Sequence, residues 1–332
     1  MRAYIIRRLF LALLTLWFVS LVVFFLTRFI PGNVIDLMIA EMGGEGAVIA
    51  DVELTIEGIK HALGLDVPVH LQYGRWMGFL PKPDVGFSGV LQGDLGRSLW
   101  GGWSIRDELA RRAVITIELG LLAILIAWSL ALPIGIFSAI RQDTFGDYAG
   151  RTTAIVALSI PGFWLATMVT VYPSIWWGWS PSIVYIPLVE DPLGNLAQFL
   201  LPAFLMGASM SGGIARYTRT MMLEVLRQDY IRTAWAKGLR ERVVVYRHAL
   251  KNALIPLVTI LGNEFATLMG GTVVMETIFN LPGMGRLMVT ALRGRDYPVI
   301  SAINLLVASA IVVINVLVDL SYGYLDPRIS YK

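Results

Sequence analysis

Six long apolar stretches divide this chain, and they constrain its fold more than any other feature. Each comes close to the roughly 20 residues that a helix needs to cross a bilayer core of about 30 Å. Backbone polar groups in lipid must be hydrogen-bonded within the spanning segment, so these stretches predict helices. The predicted spans are Leu9–Thr27, Ala113–Ile140, Thr152–Trp177, Phe199–Ala215, Pro256–Glu276 and Val299–Tyr322. We therefore expect an all-α membrane protein with six transmembrane helices.

Two of these spans carry expectations of their own. The first follows the basic residues Arg2, Arg7 and Arg8, as a signal peptide would. No small-residue cleavage site precedes Pro31, so we expect a retained membrane anchor. The fourth span, Phe199–Ala215, is short and rich in glycine, alanine and serine. Small residues let helix backbones approach closely, so we expect this span to lie inside the bundle.

The composition and the placement of charge fit a chain that faces lipid. Hydrophobic residues make up 56% and charged residues 15%, whereas soluble proteins have roughly 45–50% and about 25%. The net charge of +3 is too small to indicate a nucleic-acid partner. Lysine and arginine are denser in the segments on the N-terminal side of the membrane, so the positive-inside rule predicts cytoplasmic termini. Those segments are 1–8, 141–151, 216–255 and 323–332.

The hydrophilic segments divide the chain into three predicted parts. Residues 1–30 form an N-terminal transmembrane helix, residues 31–112 an external insertion of short helices and loops between the first two spans, and residues 113–332 a five-helix core. Within the core, the basic loop 216–255 contains Gly238 between two short helical pieces, where glycine permits a sharp turn. Such a loop could bind anionic headgroups or dock a cytoplasmic partner, and the turn favours docking.

The sequence lacks the motifs that an enzyme of this size would need. No lysine precedes Ser or Thr, so there is no Walker A phosphate loop. Three histidines without any cysteine show no zinc spacing. Ser88, in Gly-Phe-Ser-Gly, resembles the serine motif of rhomboid-type intramembrane proteases, but it lies in the polar insertion and no span contains a histidine base. We expect no catalytic residue, no metal and no cofactor bound by this chain.

Acidic residues inside the predicted spans mark either function or paired structure, because burying them is costly. Glu118 and Asp319 lie near span ends, where a packing or interfacial role is favoured. Glu264 lies in mid-span beside Asn263 and is the leading candidate to line a polar pathway, with a buried pair as the open alternative. The full set of pathway candidates is Asn263, Glu264, Ser209, Ser211 and Glu276.

Intramembrane carboxylates also leave open an ion-coupled secondary transporter as an alternative function. Such transporters are often built from inverted repeats with paired broken helices. No convincing pair of this kind occurs in the sequence.

A known family matches this chain block by block. The segment 229–239 closely resembles the cytoplasmic EAA loop of bacterial ABC-importer permeases, specifically the dipeptide/oligopeptide/nickel class and the first of its two permease subunits. Other similar blocks follow in the same order over nearly the whole chain. They include Leu63–Asp66, Gly93–Ser98, Ser159–Pro161, Arg247–Pro256, Glu276–Gly285 and Arg295–Pro298.

The chain departs from the family pattern at three positions. Arg232 stands where the general EAA pattern begins with Glu, and Trp235 stands where Arg is common. Glu264 stands where an amide or apolar residue is more familiar. The departure at Arg232 is usual for the peptide class, Trp235 would alter the docking surface, and Glu264 would reflect the substrate.

The resemblance implies a fold and a mechanism. It implies a type I ABC importer permease fold in the bacterial inner membrane, importing di- or oligopeptides or similar small solutes by alternating access. The substrate stays open among peptides, nickel chelates and oligosaccharides. The loop would couple the bundle to an ATPase through Asp229, Tyr230, Arg232, Thr233, Ala234, Lys237, Gly238 and Leu239.

The resemblance also implies partners. They are a second, homologous permease in a heterodimer, two ATP-binding subunits that hold ATP and Mg, and an external solute-binding protein. The lipid bilayer surrounds the spans, and no nucleic acid is involved. This chain would then be a transport subunit without its own ATPase site.

Overall fold

The computed structural model describes residues 2–29, 66–83 and 85–325, and the regular structure in these ranges is helical apart from two isolated bridges between extended residues. The prediction of an all-α protein is therefore confirmed. The main helices are α1 Arg2–Phe29, α2 Val69–Met77, α3 Ile105–Ile140, α4 Phe145–Ser159, α5 Gly162–Trp177, α6 Pro192–Leu226, α7 Asp229–Ala236, α8 Lys251–Ile278, α9 Met284–Arg293 and α10 Tyr297–Leu325.

The helices provide the predicted number of membrane crossings when bent pairs are counted as single spans. Helices α1, α3, α6 and α10 are each long and apolar enough to cross a bilayer. Helices α4 and α5 form one bent pair with an angle of 82°. The second pair, with an angle of 54°, joins Glu241–Leu254 to Pro256–Gly270. Among the described residues this makes four to six spans, and six is the predicted count.

The third predicted span, Thr152–Trp177, is wrong as a continuous helix. It breaks at Ile160, which is extended with φ −89° and ψ 119°. Pro161 explains the break, because the proline ring disfavours helical geometry in the residue before it. Proline also supplies the fixed φ with which a new helix can start, and α5 begins directly after it.

The fourth predicted span is also wrong in length, because α6 runs from Pro192 to Leu226 instead of 199–215. The Asp191 carboxylate caps its N-terminus by accepting hydrogen bonds from the N–H groups of Leu193 and Gly194. The polar residues beyond the apolar run continue the helix. The length of the apolar run predicts the part of a helix that can lie in the bilayer core, but it does not predict the full length of the helix.

The expected place of α6 inside the bundle is confirmed by its glycines. A Cβ added to Gly207 would lie 2.7 Å from the carbonyl oxygen of Ala123, and one added to Gly212 would lie 2.5 Å from that of Ala154. Only glycine permits these approaches, in which α6 packs against the backbones of α3 and α4.

A π-helical segment, Val244–Leu250, precedes α8. Helices of this type are rare, and they often mark functional positions. Helix α8 then starts at Lys251, before the predicted start of the fifth span, and the chain bends around Pro256. Proline inside a helix removes one backbone hydrogen bond and clashes with the preceding turn, which accounts for the bend.

The chain divides into two compact units. In the first, the core of the described residues includes clusters of buried side chains around Leu119 and Phe199, around Met222 and Val244, and around Ala127 and Ile214. An ion pair of 2.9 Å joins Arg8 Nη1 to Asp319 Oδ2, so the expected packing role of Asp319 is borne out. The first unit comprises Met1–Ala12, Arg112–Arg286 and Ala310–Lys332.

The second unit, Leu13–Arg111 with Leu287–Ser309, contains much of the predicted insertion. The Ser98 hydroxyl donates to Asp296 Oδ2, and Trp100 Nε1 donates to the carbonyl oxygen of Gly294 at 2.6 Å. The insertion therefore shares a unit with parts of α1, α9 and α10. Of the predicted range 31–112, residues 31–65 and 84 lie outside the described residues.

The helix that follows the insertion begins earlier than predicted. Helix α3 starts at Ile105 rather than 113, and its first turn carries Asp107 and Glu108. Acidic residues are favourable at a helix N-terminus because they face the positive end of its dipole. The apolar run therefore underestimates this helix at its polar end.

Candidate functional site

Helix α7 lies within the segment predicted to couple to an ATPase, and two residues fasten it to the bundle. Ile231 is completely buried and Ala234 is 6% exposed. They are three residues apart and so share one helix face. That face packs into the cluster formed by Met222, Val244 and Val245. Ala234, which we predicted as a coupling residue, therefore serves as an anchor of α7.

The remaining surface of α7 and of the turn after it is exposed. Tyr230, Trp235 and Leu239 are 44%, 43% and 36% exposed. Lys237 and Arg232 are exposed beside them. Aromatic and apolar side chains grouped with cations on a short exposed helix are typical of a protein-docking surface. We call Tyr230, Arg232, Trp235, Lys237 and Leu239 the α7 outer face.

The turn predicted at Gly238 is confirmed. Gly238 has a φ of 74°, and a Cβ at this position would meet no heavy atom within 4 Å. Its N–H donates to the carbonyl oxygen of Trp235, and the N–H of Leu239 donates to that of Ala234. The left-handed backbone ends α7 and turns the chain toward the next helical segment.

Hydrogen bonds connect α7 to the start of α8. Asn252 Nδ2 donates to Tyr230 Oη at 3.0 Å and to the carbonyl oxygen of His248 at 2.8 Å. An ion pair of 3.3 Å between Arg141 and Glu241 joins the end of α3 to the chain just after the turn. A displacement of α7 would therefore act on α3 and on α8.

The charged residues at the start of α7 interact only weakly with each other. Arg232 Nη1 lies 3.2 Å from Asp229 Oδ1, and both side chains are largely exposed. Exposed pairs of this kind contribute little, because water and salt screen them. The Thr233 hydroxyl donates to the carbonyl oxygen of Asp229 within the helix. Arg232 and Asp229 are thus free to exchange this pair for contacts with a partner.

Helix α8 presents an unusual exposed face. In a helix of this apolarity, a lipid-facing side would carry large apolar residues, but here the exposed positions are mostly small or polar. They recur every three or four residues, which places them on one face. We call this the polar face of α8; it consists of Pro256, Thr259, Asn263, Thr267, Gly270, Val274 and Thr277.

The pathway candidates differ in their access to this face. Asn263 belongs to it, and Glu264 is half-buried next to it. On α6, Ser209 is half-buried, whereas Ser211 is 8% exposed and donates to the carbonyl oxygen of Ala208. Helices α6 and α8 pack against each other, so the candidate serines of α6 and the candidates Asn263 and Glu264 of α8 lie on neighbouring helices.

Glu276 has a structural role in this conformation. Its side chain is completely buried, Thr116 Oγ1 donates to Oε1 at 2.7 Å, and the N–H of Arg286 donates to Oε2 at 2.9 Å. Thr116 Oγ1 in turn accepts from the N–H of Met284. The carboxylate thus caps the N-terminus of α9. This geometry gives Glu276 no opening toward a pathway.

Two models of one family match nearly the whole chain. The model described as binding-protein-dependent transport system inner membrane component matches residues 131–331, and the model of its N-terminal part matches residues 1–120. The chain belongs to this family. It is a membrane permease subunit of an ABC importer, and ATP hydrolysis belongs to separate subunits. The prediction of a transport subunit rather than an enzyme is confirmed.

Relatives of this permease align over their full lengths. A protein of Brucella suis biovar 1, provisionally named a peptide transport system permease, is 38% identical over all of both chains. The dipeptide transport system permease DppB of Alkalihalophilus pseudofirmus is also 38% identical, and DppB of Escherichia coli K12 is 35% identical. Both cover 100% of this chain and of the relative.

A solved structure shows the same fold. The MetNI methionine ABC transporter, in inward-facing conformations, superposes with a TM-score of 0.54 at 17% identity. The match covers 66% of this chain and 96% of that chain. The type I importer fold predicted for this permease is therefore confirmed. Membership in the family implies ATP-binding subunits, a solute-binding protein and a second permease as partners.

Sequence reasoning missed two side chains that hold the sites of this permease together. Asn252 links α7 to α8, and Thr116 supports Glu276 from 160 residues away. Asn252 lies inside the family-like block Arg247–Pro256, so the resemblance could have marked it as a candidate. Thr116 lies in an apolar run with nothing beside it to mark it.

No group of three or more His, Cys, Asp or Glu residues able to hold a metal occurs in the described ranges. That this chain binds neither metal nor cofactor stays a prediction.

Proposed function

We propose that this permease imports di- or oligopeptides, or similar small solutes, by alternating access. Its full-length relatives are named for peptide or dipeptide transport, which supports that substrate class over nickel chelates and oligosaccharides. ATP-driven closure of partner subunits displaces α7, and the bundle switches between inward-open and outward-open states. The alternative of an ion-coupled secondary transporter finds no support, because this family takes its energy from ATPase subunits.

The proposed assembly has four kinds of partner. This chain forms a heterodimer with a second, homologous permease, and two ATP-binding subunits hold ATP and Mg. A solute-binding protein delivers the substrate from outside, and lipid surrounds the spans. In this proposal the chain binds no cofactor of its own and no nucleic acid, and it lies in the inner membrane of a bacterium with both termini in the cytoplasm.

The α7 outer face carries the coupling proposal. Ile231 and Ala234 fasten the helix to the bundle, while Tyr230, Trp235 and Leu239 remain exposed. A helix that only completed the bundle would not leave aromatic side chains exposed in a polar loop. The arrangement fits a coupling helix: a partner would bind the α7 outer face, and the buried face already packs against the spans.

A displacement of α7 would be transmitted to α8 through the hydrogen bond that Asn252 donates to Tyr230. Helix α8 carries the polar face, which an apolar helix would not expose to lipid. We therefore propose that the pathway runs along this face, with Asn263 and Glu264 as its leading residues and Ser209 on the neighbouring helix α6. Ser211 and Glu276 belonged to the predicted set, but their hydroxyl and carboxylate are engaged inside the bundle.

Substitution of Gly238 tests the coupling. In Gly238→Val, a β-branched residue would have to adopt a φ of 74°, so the turn after α7 should rearrange. We expect membrane insertion and assembly to be kept, basal ATP hydrolysis to continue, and uptake per ATP hydrolysed to fall about tenfold. The measurement is uptake and ATPase activity of the full transporter in reconstituted vesicles.

Gly86→Val is the matched control. Gly86 also has a φ of 74° and no heavy atom within 4 Å of an added Cβ, but it lies in another unit of the chain. The backbone strain is therefore equal, and uptake should stay close to that of the wild type. Wild-type uptake by Gly238→Val would overturn the coupling role.

A further inference from the structure

A cavity of about 260 Å³ lies among α3, α4 and α6, and the proposed function makes no use of it. Its lining has a basic part and an apolar part, and none of the lining residues is acidic. The basic part consists of Arg151, Arg216 and Arg219. The apolar part includes Ala154, Ile155 and Leu158.

One of the three arginines is neutralised. Arg219 donates from Nε and Nη2 to the two carboxylate oxygens of Asp147, at 2.8 and 2.7 Å. Asp147 is completely buried, and its Oδ2 also accepts from the N–H of Asp143. This bidentate pair joins α4 to α6 and fixes the geometry of the cavity. It leaves no net charge for a ligand.

The other two arginines lie at the rim of the cavity, where the buried Asp147 carboxylate attracts Arg151 at longer range. Arg151 and Arg216 are exposed, and neither forms an ion pair within 4 Å among the described residues. Each guanidinium lies over a neighbouring aromatic ring, Arg151 over Tyr148 at 5.6 Å and Arg216 over Tyr217 at 5.7 Å. Two such guanidinium groups form a natural site for a phosphate group.

The apolar lining indicates which kind of phosphate-bearing ligand would fit the cavity. Arg151, Ile155 and Leu158 are spaced by four and three residues, so they follow one face of α4. Ile155 and Leu158 are 61% and 47% exposed. From Arg151 to Leu158 the helix rises about 10 Å. A ligand that matches this face needs an anionic head at one end and an apolar tail running along the helix.

We propose that this cavity binds one anionic phospholipid, with its phosphate between Arg151 and Arg216 and an acyl chain along Ile155 and Leu158. Basic pockets between transmembrane helices are suited to such headgroups. The site is separate from the α7 outer face and from the polar face of α8. The bound lipid would contact both α4 and α6 next to the Asp147–Arg219 pair.

The test compares lipid binding by the purified full chain. The chain is delipidated in detergent and titrated with phosphatidylglycerol or phosphatidylcholine, and bound lipid is counted by native mass spectrometry. We expect one phosphatidylglycerol to bind, at least about tenfold more tightly than phosphatidylcholine. The double variant Arg151→Gln/Arg216→Gln should lose this preference. Arg219 and Asp147 stay unchanged, so the α4–α6 junction is kept.

Arg227→Gln/Arg242→Gln is the matched control, because it also removes two exposed arginines, and neither of them lines the cavity. It should bind phosphatidylglycerol like the wild type. Equal losses in the two double variants would show general attraction to basic charge and overturn the site. Unchanged binding by Arg151→Gln/Arg216→Gln would overturn it as well.

Two further outcomes separate this site from other occupants. If the cavity variant keeps its lipid but loses the second permease on co-purification, the cavity is a subunit contact and the proposal fails. If it keeps its lipid but raises the KM for peptide uptake, the cavity belongs to the pathway and the proposal also fails. As a check that needs no variant, phosphatidylglycerol should raise the thermal midpoint of the wild-type chain and phosphatidylcholine should not. None of these readouts depends on the Gly238 experiment.

Discussion

The carboxylate of Glu276 holds the junction between α8 and α9. It accepts hydrogen bonds from the Thr116 hydroxyl and from the N–H of Arg286, and it has no exposed surface. Gly283 and Gly285 lie so close to it that an added Cβ at either would meet its oxygens at 2.4 and 2.9 Å. The site is therefore shaped around an acceptor with two oxygens.

Glu276→Gln should destabilise the chain, because the new NH₂ group is a donor placed among donors. We expect a loss of about 1–3 kcal/mol in the free energy of unfolding, as for a buried polar group without its partner. Thermal unfolding of the purified chain measures this. Glu190→Gln, at an exposed carboxylate, should change little. A stable Glu276→Gln with altered uptake would instead return Glu276 to the pathway.

Asp94 organises the loop before α3. The Ser88 hydroxyl, the N–H of Gly96 and the Lys82 ammonium hold the pKa of Asp94 at about 2. Its pKa in an unfolded chain is about 4. A lowered pKa in the folded state means that the stabilisation is complete above about pH 4 and is lost as the pH falls toward 2.

Asp94→Asn should therefore lower the thermal midpoint at pH 7, and the difference from the wild type should shrink between about pH 4 and pH 2. Thermal unfolding at several pH values provides the measurement. Glu224→Gln, at another exposed carboxylate, is the comparison and should show no such trend. A difference that stays constant over this range would contradict the role of the ionised carboxylate.

At the scale of elements, the contact of α6 with α4 depends on a single missing side chain. Gly212 faces the carbonyl oxygen of Ala154 at a distance that excludes a Cβ, whereas Gly213 next to it has nothing within 4 Å. The two glycines share one helix and differ only in what they face. They form a matched pair for testing helix packing.

Gly212→Ala should destabilise the chain by about 1–3 kcal/mol, because α4 and α6 have to move apart. Gly213→Ala should be neutral or stabilise by up to about 1 kcal/mol, because alanine favours a helix more than glycine does. Thermal unfolding of the two single variants of the isolated chain decides this. Equal effects would show that α6 does not pack as described.

Both bent pairs of helices bend at a proline, but the two prolines have different surroundings. The 82° break between α4 and α5 follows from Pro161, which acts on the residue before it. The 54° bend lies near Pro256, shortly after a π-helical segment in the chain, and this segment packs beside α7. A displacement of α7 would therefore act on a stretch where the backbone hydrogen bonding already departs from the α-helical pattern.

At the scale of the molecule, the proposed orientation can be tested directly because the chain contains no cysteine. Ser182→Cys and Gln228→Cys each introduce one thiol at an exposed position. In intact spheroplasts, a membrane-impermeant maleimide should label Ser182→Cys and leave Gln228→Cys unlabelled. In inverted vesicles the pattern should reverse. Labelling of both variants from the same side would refute the orientation.

Local patterns predicted much of this molecule. Apolar length predicted the four long helices that could cross a membrane and the two bent pairs that would make six crossings, and the turn at Gly238 follows from a residue that tolerates positive φ. The resemblance identified the family, because its blocks are short and continuous in the chain. Helix ends were predicted less well, since α3 and α6 extend through polar residues that leave the apolar core of the bilayer.

The amino-acid sequence was sufficient for the membrane class, the apolar stretches that form the candidate spans and the turn at Gly238, because each depends on residues that are neighbours in the chain. The roles of the charged residues were decided by tertiary structure. Asp319 meets Arg8, Asp147 meets Arg219, and Glu276 meets Thr116, all across long separations in sequence. The cost of a buried charge depends on its partner in space, and only the packed helices supply that partner.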